Sequence, residues 1–385
     1  MNLAERTGIA IYNSNGKRFF EERGLDPRTA RLLSTQFMHD VFHIPGASAP
    51  GVYVKIAKKG KDGTPDRKEM DIERQWYNTF RNDLALPGAP LAETFPIDGD
   101  YALVVEEVPG AGCDEVFRGI AKKHGPIILS WSPEFKSVLE RSAEISARGY
   151  HLHLENPEKT QVFFRGADGG FDNGEFDFLN GRTLKIMTAN GRETKYLAQI
   201  LAAPKADMTS PEKRALYRDA TPLNWISAKE GIVAIDLGST SYRPPQFELI
   251  ALLETPGTGI DEISPEVKRN IIQLQRRLLA GHGLDVSPEH VFERDYALAS
   301  LIKNASGVAS RLDHIVKNRA MIASEDPEQQ KIGAERLAGN ISGKRFHSIR
   351  AIEALDNLEK YFSSQGLEEQ ARMQKDLFAA ELDKE

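Results

Sequence analysis

The chain has 385 residues, enough for a large core in two lobes or two domains, and its 40% hydrophobic and 28% charged content is that of a globular protein. A net charge of −6 argues against a dominant nucleic-acid surface, although Lys58-Lys59-Gly60-Lys61 forms a local basic patch. One cysteine, Cys113, excludes an intramolecular disulfide; with no signal-peptide core in Met1-Asn2-Leu3-Ala4-Glu5-Arg6 and no bilayer-length apolar run, no membrane partner and a cytoplasmic location are expected.

In chain order, Asn13-Ser14-Asn15-Gly16 signals a turn and a short helix is expected over 27–36. Val52-Tyr53-Val54-Lys55-Ile56-Ala57 has the β-branched and aromatic content of a strand. A helix is predicted over 68–82, with Trp76, Tyr77, Phe80 and Leu84 as its apolar stripe and Pro87-Gly88-Ala89-Pro90 as its stop. Residues 101–105 read as a buried strand that runs into Glu106-Glu107-Val108 and breaks at Pro109-Gly110. A helix follows over 132–148, with Phe135, Val138, Leu139 and Ile145 inward and Ser132 or Ser130 as its cap.

The pattern changes over 150–205. His151-Leu152-His153-Leu154-Glu155 alternates as a strand would, which puts His151, His153 and Glu155 on one face, but no further metal-ligand cluster accompanies them. Residues 161–164 and 175–179 flank a Gly/Asp-rich turn and suggest a β-hairpin. A helix is expected over 210–217. From Pro265 the chain reads as helical over 265–280, 288–303, 306–320, 326–338 and 344–382, with no internal repeat.

The chemistry concentrates in the middle of the chain. Tyr217-Arg218-Asp219-Ala220-Thr221-Pro222-Leu223-Asn224 matches the pattern H-R-D-x-x-x-x-N at its Arg, Asp and Asn, with Tyr in the place of His. After a turn at Ala228-Lys229-Glu230-Gly231, the apolar strand Ile232-Val233-Ala234-Ile235 ends in Asp236-Leu237-Gly238, a conservative form of D-F-G. Either half alone is common. In this order, with a hairpin-sized gap, they are specific. Arg294-Asp295 is a second Arg-Asp pair, but the fifth residue after it is Ser300 and no Asp-Leu-Gly follows, so it reads as surface charge on a helix.

On these motifs the chain resembles the protein-kinase-like superfamily, and within it the aminoglycoside phosphotransferase and choline-kinase type. The resemblance implies an α+β fold of two lobes: a small β-rich N-lobe (1–108) and a large, mainly helical C-lobe (109–385). The C-lobe would hold the catalytic loop (217–224), the Asp-Leu-Gly segment (236–238), an insertion near 150–205 and a helical part (265–385). ATP and Mg²⁺ are the implied cofactors. Phosphoryl transfer needs alignment and charge neutralisation more than covalent help. Asp219 would then take or orient the proton of the acceptor hydroxyl, with Arg218 beside it as a catalytic residue. Asn224 and Asp236 would offer Mg²⁺ the hard oxygen ligands it prefers.

Upstream, Lys55 resembles the V-A-I-K lysine that reaches the ATP phosphates, and Glu73, or Glu69 one turn earlier, would hold it in place. Glu106 to Val108 would pair with adenine through their backbone. The chain departs from the family in having no clear G-x-G-x-x-G loop; Gly46-Ala47-Ser48-Ala49-Pro50-Gly51 abuts the lysine strand too closely. Glu248 stands near the start of a helix, either as a carboxylate favoured by the dipole or as a brace for the catalytic loop. Only Ser239 to Gln246 separates Gly238 from that helix and no A-P-E follows, which is similar to small-molecule kinases. The implied activity is transfer of the ATP γ-phosphate to a hydroxyl of a small molecule. A protein Ser/Thr kinase and a nucleotide-binding pseudokinase or regulatory module are the alternatives. Asp168, Asp172, Glu175 and Asp177 suit either a cationic substrate or a solvated loop.

Overall fold

A computed structural model describes residues 17–35, 39–47, 50–57, 67–97, 100–160, 173–204 and 215–383. Helix α1 (Lys17–Glu22) leads into β1 (Arg31–Thr35), β2 (His39–Ile44) and β3 (Val52–Ala57). Helix α2 (Arg67–Asn82) follows, then β4 (Ala92–Ile97) and β5 (Asp100–Glu106). The strands form one antiparallel sheet in the order β1-β2-β3-β5-β4.

Alternation along the strands sorts the side chains onto two faces. Val52 and Val54 join Phe42, Ile44, Ala102 and Val104 in a cluster closed by Phe19 and Phe20 of α1. Lys55 and Ala57 take the other face, where Leu103 and Val105 meet Met70, Trp76, Tyr77 and Phe80 of α2. The pleat of β3 therefore aims Lys55 at α2.

One expectation for this lobe is corrected. The helix expected over 27–36 is a single 3₁₀ turn, Pro27–Thr29, followed by β1. Pairing of Arg31 with His43 and Leu32 with Phe42 in the sheet overrides the local helical signal. The Gly46–Gly51 stretch is the connection between β2 and β3, which pair from Ile44 with Val52 onward. A Cβ on Gly51 would lie 2.4 Å from the Ile44 carbonyl oxygen, so close backbone approach is what requires this glycine. The turn expected at 13–16 lies outside the described residues.

The larger lobe begins with β6 (Gly110–Gly112), α3 (Cys113–His124), α4 (Pro126–Trp131) and α5 (Pro133–Glu155). Ser132 caps α5, accepting the Phe135 N–H at 3.2 Å with Pro133 in the first turn. Helices α6 (Asn173–Ala189) and α7 (Lys195–Ala202) come next. Four short strands follow: β7 (Ala215–Tyr217), β8 (Trp225–Ala228), β9 (Gly231–Ala234) and β10 (Ser241–Arg243). They make a β6-β8-β9 sheet and a β7–β10 pair. The rest is helical: α8 (Gln246–Leu253), α9 (Pro265–Gly281), α10 (Glu289–Ile322), α11 (Pro327–Asn357), α12 (Glu359–Ser364) and α13 (Glu368–Asp383). No helix among the described residues is long and apolar enough to cross a membrane.

Several readings of this lobe change. His151, His153 and Glu155 lie on α5, not on a strand. At about 100° per residue, 151 and 155 share one side and 153 faces another. The His153 ring packs 4.2 Å from that of Tyr242, and no group of three potential ligands among the described residues could hold a metal ion. Residues 175–179, expected as half of a hairpin, belong to α6, while 161–164 fall outside the described residues. The helix expected over 210–217 is replaced at 215–217 by β7, paired with β10; 210–214 are not described. The breaks expected near 304 and 340 do not occur, and α10 and α11 run on as helices of 34 and 31 residues. Gly307 lies where these helices touch, and a Cβ there would stand 2.5 Å from the His347 ring. That glycine serves helix contact, not helix termination.

Candidate active site

β3 and α2 bring the first two groups together. Lys55 Nζ lies 2.7 Å from Glu73 Oε1 and 2.6 Å from Asp236 Oδ1. Glu73 is buried on the face of α2 that also carries Trp76 and Tyr77. Burial by itself disfavours the Lys55 ammonium, but Glu73 and then Asp236 outweigh it and hold the group above the ordinary lysine range. Lys55 in return pulls the Asp236 carboxyl below the usual carboxylate range, against the effect of burial. The contact expected between Lys55 and Glu73 is present.

Asp236 follows β9 with φ at +57°, and its N–H donates to Tyr77 Oη at 2.8 Å. Tyr77 stands one turn after Glu73. Burial and the Glu73 charge raise its pKa, so it stays a neutral phenol. This anchor was hidden in the sequence, where Tyr77 read as part of an apolar stripe.

The catalytic loop is held from below. The Arg218 side chain is fully buried, with its guanidinium centre 3.7 Å from the Trp225 ring centroid and its Nε 3.2 Å from Glu248 Oε1. Glu248 Oε2 also accepts the N–H groups of Arg218 at 3.1 Å and Ala220 at 3.3 Å. Trp225 Nε1 donates to the Ala220 carbonyl at 3.2 Å. Of the two readings of Glu248, the brace is the one the geometry bears out. Burial raises its pKa while Arg218 opposes that rise. Arg218 is corrected from a catalytic to a positioning residue, because a side chain sealed beneath the loop cannot touch a substrate.

Within this frame Asp219 adopts φ +59°. A left-handed conformation costs a non-glycine residue about 1–3 kcal/mol and persists where its surroundings over-determine it. Here the bonds on either side do so, with the Thr221 N–H donating to the Asp219 carbonyl at 2.7 Å. Tyr217 Oη donates to Asp219 Oδ1 at 2.9 Å, and Lys303 Nζ of α10 lies 3.8 Å from the same oxygen. Burial and then Asp219 push the Tyr217 pKa well up, so it remains a donor. The residue in the place of His therefore orients the carboxylate directly. Lys303 carried no signal in the sequence, since no motif surrounds it.

Asn224 joins the two acids. Its Nδ2 donates to the Asp219 carbonyl at 2.8 Å, and its own carbonyl accepts the Ile235 N–H at 3.0 Å. A carbonyl can only accept, so the amide nitrogen must point at residue 219 and Oδ1 is left as an acceptor. Asp236 offers a half-exposed carboxylate one residue beyond that bond. An amide oxygen and a carboxylate fit Mg²⁺, which takes few protein ligands and completes its shell with phosphate oxygens and water.

Glu106 ends β5, and Val108 lies in the linker from β5 to β6. The Glu106 N–H is spent on the Leu91 carbonyl at 2.9 Å, and its carboxylate accepts the Leu91 N–H at 3.2 Å. Among the described residues nothing takes the Val108 N–H. Glu107, which carried no role of its own in the sequence, ties the β2–β3 connection to this linker by accepting the Gly51 N–H at 2.7 Å.

No protein-family model matches the chain, and no curated protein matches it. Solved structures do. A thermostable mutant of an aminoglycoside phosphotransferase, in ternary complex with ADP and hygromycin B, superposes with a TM-score of 0.51 at 14% identity, over 89% of this chain and 97% of its own. The fold is that of the kinase-like phosphotransferases. An amicoumacin kinase in complex with AMP-PNP and Ca²⁺ matches with a TM-score of 0.48 at 12% identity, over 86% of this chain and 93% of that one. A choline/ethanolamine kinase family protein from Mesorhizobium loti matches with a TM-score of 0.45 at 12% identity, over 89% and 92%. The correspondence rests on the first of these. In this phosphotransferase fold the sheet of 31–106 is the small lobe and the helices from Cys113 onward form the large one.

Proposed function

We propose that the protein transfers the γ-phosphate of ATP to a hydroxyl group of a small molecule, with Mg²⁺ as cofactor. One observation carries this reading: Asp219 and Asp236, both in left-handed backbone, are joined through Asn224, and the Lys55–Glu73 pair reaches Asp236. Two such conformations side by side in a structural hairpin would be a cost without a return. The ADP and hygromycin B held by the aminoglycoside phosphotransferase agree with the same reading.

The lobes meet at the linker 107–109. There the Glu106 carbonyl and the Val108 N–H would pair with the adenine edge. Lys55, fixed by Glu73, meets the phosphates. Asp236 and Asn224 Oδ1 would hold Mg²⁺, which neutralises phosphate charge when bound. Asp219, aimed by Tyr217, accepts the proton of the acceptor hydroxyl as its oxygen forms the new bond to phosphorus. The bond from the γ-phosphorus to the bridging oxygen breaks, and its electron pair leaves with ADP. Arg218 and Glu248 keep the Asp219 backbone in place for that step.

The short run from Gly238 to α8 leaves no long segment for docking a polypeptide acceptor, which favours a small molecule over a protein substrate. Cys113 is buried, and burial with Asp114 beside it pushes its thiol up to about 12, so it is inert, as suits a reducing cytoplasm.

The test is release of ADP over a panel of sugars, amino alcohols and aminoglycosides, with wild type and Asp219→Ala side by side. Turnover is expected in the wild type only, with a magnesium-dependent thermal shift by ATP in both. Equal turnover by Asp219→Ala removes the base; absence of the shift removes the nucleotide site.

A further inference from the structure

The cleft holds a cation that the motifs do not account for. Lys303 lies on α10, 84 residues after Asp219, yet its Nζ is 3.8 Å from Asp219 Oδ1. Its side chain is 25% exposed, so it is neither a solvated surface lysine nor a sealed one. At 3.8 Å it is too far to hydrogen-bond that oxygen, which already accepts from Tyr217. It donates no hydrogen bond to any other described residue. An ammonium has three N–H donors. This one stands partly exposed beside the proposed base, with Asp219 as its nearest charged neighbour among the described residues.

Its place is fixed by the fold. α8 carries the Glu248 brace and packs on α10, so the helix that bears Lys303 is anchored to the element that holds the loop. On the same helix Ser300 and Asn304 donate to the buried Glu254 carboxylate at 2.8 and 2.7 Å, which sets the rotation of α10 about its axis. Ala299 and Gly307 are the neighbours one turn either side, and neither can crowd the ammonium.

We propose that Lys303 is a catalytic residue that binds the phosphoryl group in flight, donating to its oxygens on the acceptor side while Lys55 and the metal hold the nucleotide side. The inference rests on the phosphotransfer reading above. The chemistry asks for it: charge spreads over three equatorial oxygens as the phosphoryl leaves ADP, and Lys55 is already committed to Glu73 and Asp236. A cation at Asp219 neutralises the phosphoryl at the point where the acceptor oxygen attacks. It also screens that anionic group from the Asp219 carboxylate, which would otherwise repel it.

Hydrolysis of ATP with water as the acceptor isolates this role, because water has no anionic group for Lys303 to grip. ADP release is measured with ATP and Mg²⁺ alone for wild type, Lys303→Met and Lys303→Arg, each checked by thermal melting. Lys303→Met is expected to lower kcat about 100-fold, the loss typical of removing one oxyanion donor, with KM for ATP unchanged and the melting temperature kept. Lys303→Arg, which keeps a cation on a long stem, recovers part of the rate. Wild-type turnover by Lys303→Met with water overturns the proposal, even if transfer to an anionic acceptor falls, since Lys303 then serves that acceptor and not the phosphoryl. Should Lys303→Met melt early, a rate for Lys303→Arg equally depressed at a normal melting temperature also overturns it. Wild type that releases no ADP under any condition refutes the phosphotransfer reading itself, a different outcome from an active wild type matched by its variant.

Discussion

Replacing Glu248 by Ala tests whether the catalytic loop is braced from within the C-lobe. Glu248 is 1% exposed, accepts the N–H groups of residues 218 and 220, and pairs its charge with the Arg218 guanidinium 3.2 Å away. Its loss leaves a buried guanidinium stacked on the Trp225 ring without its paired carboxylate, and breaking such a pair costs about 3–5 kcal/mol. The two orphaned N–H groups would add about 1–3 kcal/mol each if they stayed dry. A cavity of carboxylate size admits water, so the combined cost stays near about 4 kcal/mol. With a urea slope of about 3 kcal/mol/M, the unfolding midpoint drops by more than about 1 M. Tryptophan fluorescence reads this transition, since Trp225 forms the other wall of the Arg218 site. Turnover falls with stability, because Glu248 fixes the backbone on both sides of Asp219, at residues 218 and 220. Glu248→Gln retains an acceptor for the backbone and loses only the charge, so it lies between. The pair Arg218→Met with Glu248→Leu is less destabilised than the sum of its single changes, with a coupling of at least about 1 kcal/mol. An unchanged midpoint for Glu248→Ala, or strict additivity in the cycle, refutes the brace.

Other outcomes follow from the same geometry. Glu73→Gln weakens ATP binding about tenfold by calorimetric titration, because Lys55 then leans on Asp236 alone, and equal affinity refutes the role of the pair. His347 is buried, with Nδ1 2.8 Å from Asn304 Oδ1; burial, with Arg311 and Lys303 nearby, holds its pKa down at about 4. The unfolded chain binds that proton near pH 6.5, so stability from this site is complete above that pH and is lost as pH falls through 4, a total of about 3 kcal/mol. Chemical denaturation at pH 7 and pH 4.5 should show this loss in wild type and a smaller one in His347→Gln; equal losses refute it. Gly51→Ala forces a Cβ onto the Ile44 carbonyl and should lower stability by about 1–3 kcal/mol in thermal melts; an unchanged melting temperature refutes the close approach.

The small lobe and the motif loops were legible because their signals are local. Alternation set the face of Lys55, the apolar stripe of α2 set the face of Glu73, and spacing along one strand-turn-strand unit marked Asp219, Asn224 and Asp236. Period and spacing are properties of neighbouring residues, and one sequence contains them. Where local pattern and long-range pairing disagree, the sequence misleads. Residues 151–155 alternate but lie on α5, because the helix that began at Pro133 runs on through them. Gly307, inside α10, is the small residue that lets the helix approach His347. Arg294 and Asp295 read as surface charge, yet Asp295 is buried and bonded to Arg294 at 2.7 Å. The burial of Arg218 against Trp225 and Glu248, the phenol of Tyr77 beneath Asp236 and the approach of Lys303 to Asp219 each join residues far apart in the chain or turned inward by packing. Residue types at a spacing decide which groups are at hand for chemistry. Which of them meet, and which are shut away from substrate, is set only when separate elements pack, because burial and long-range distance belong to the folded chain and not to any stretch of it.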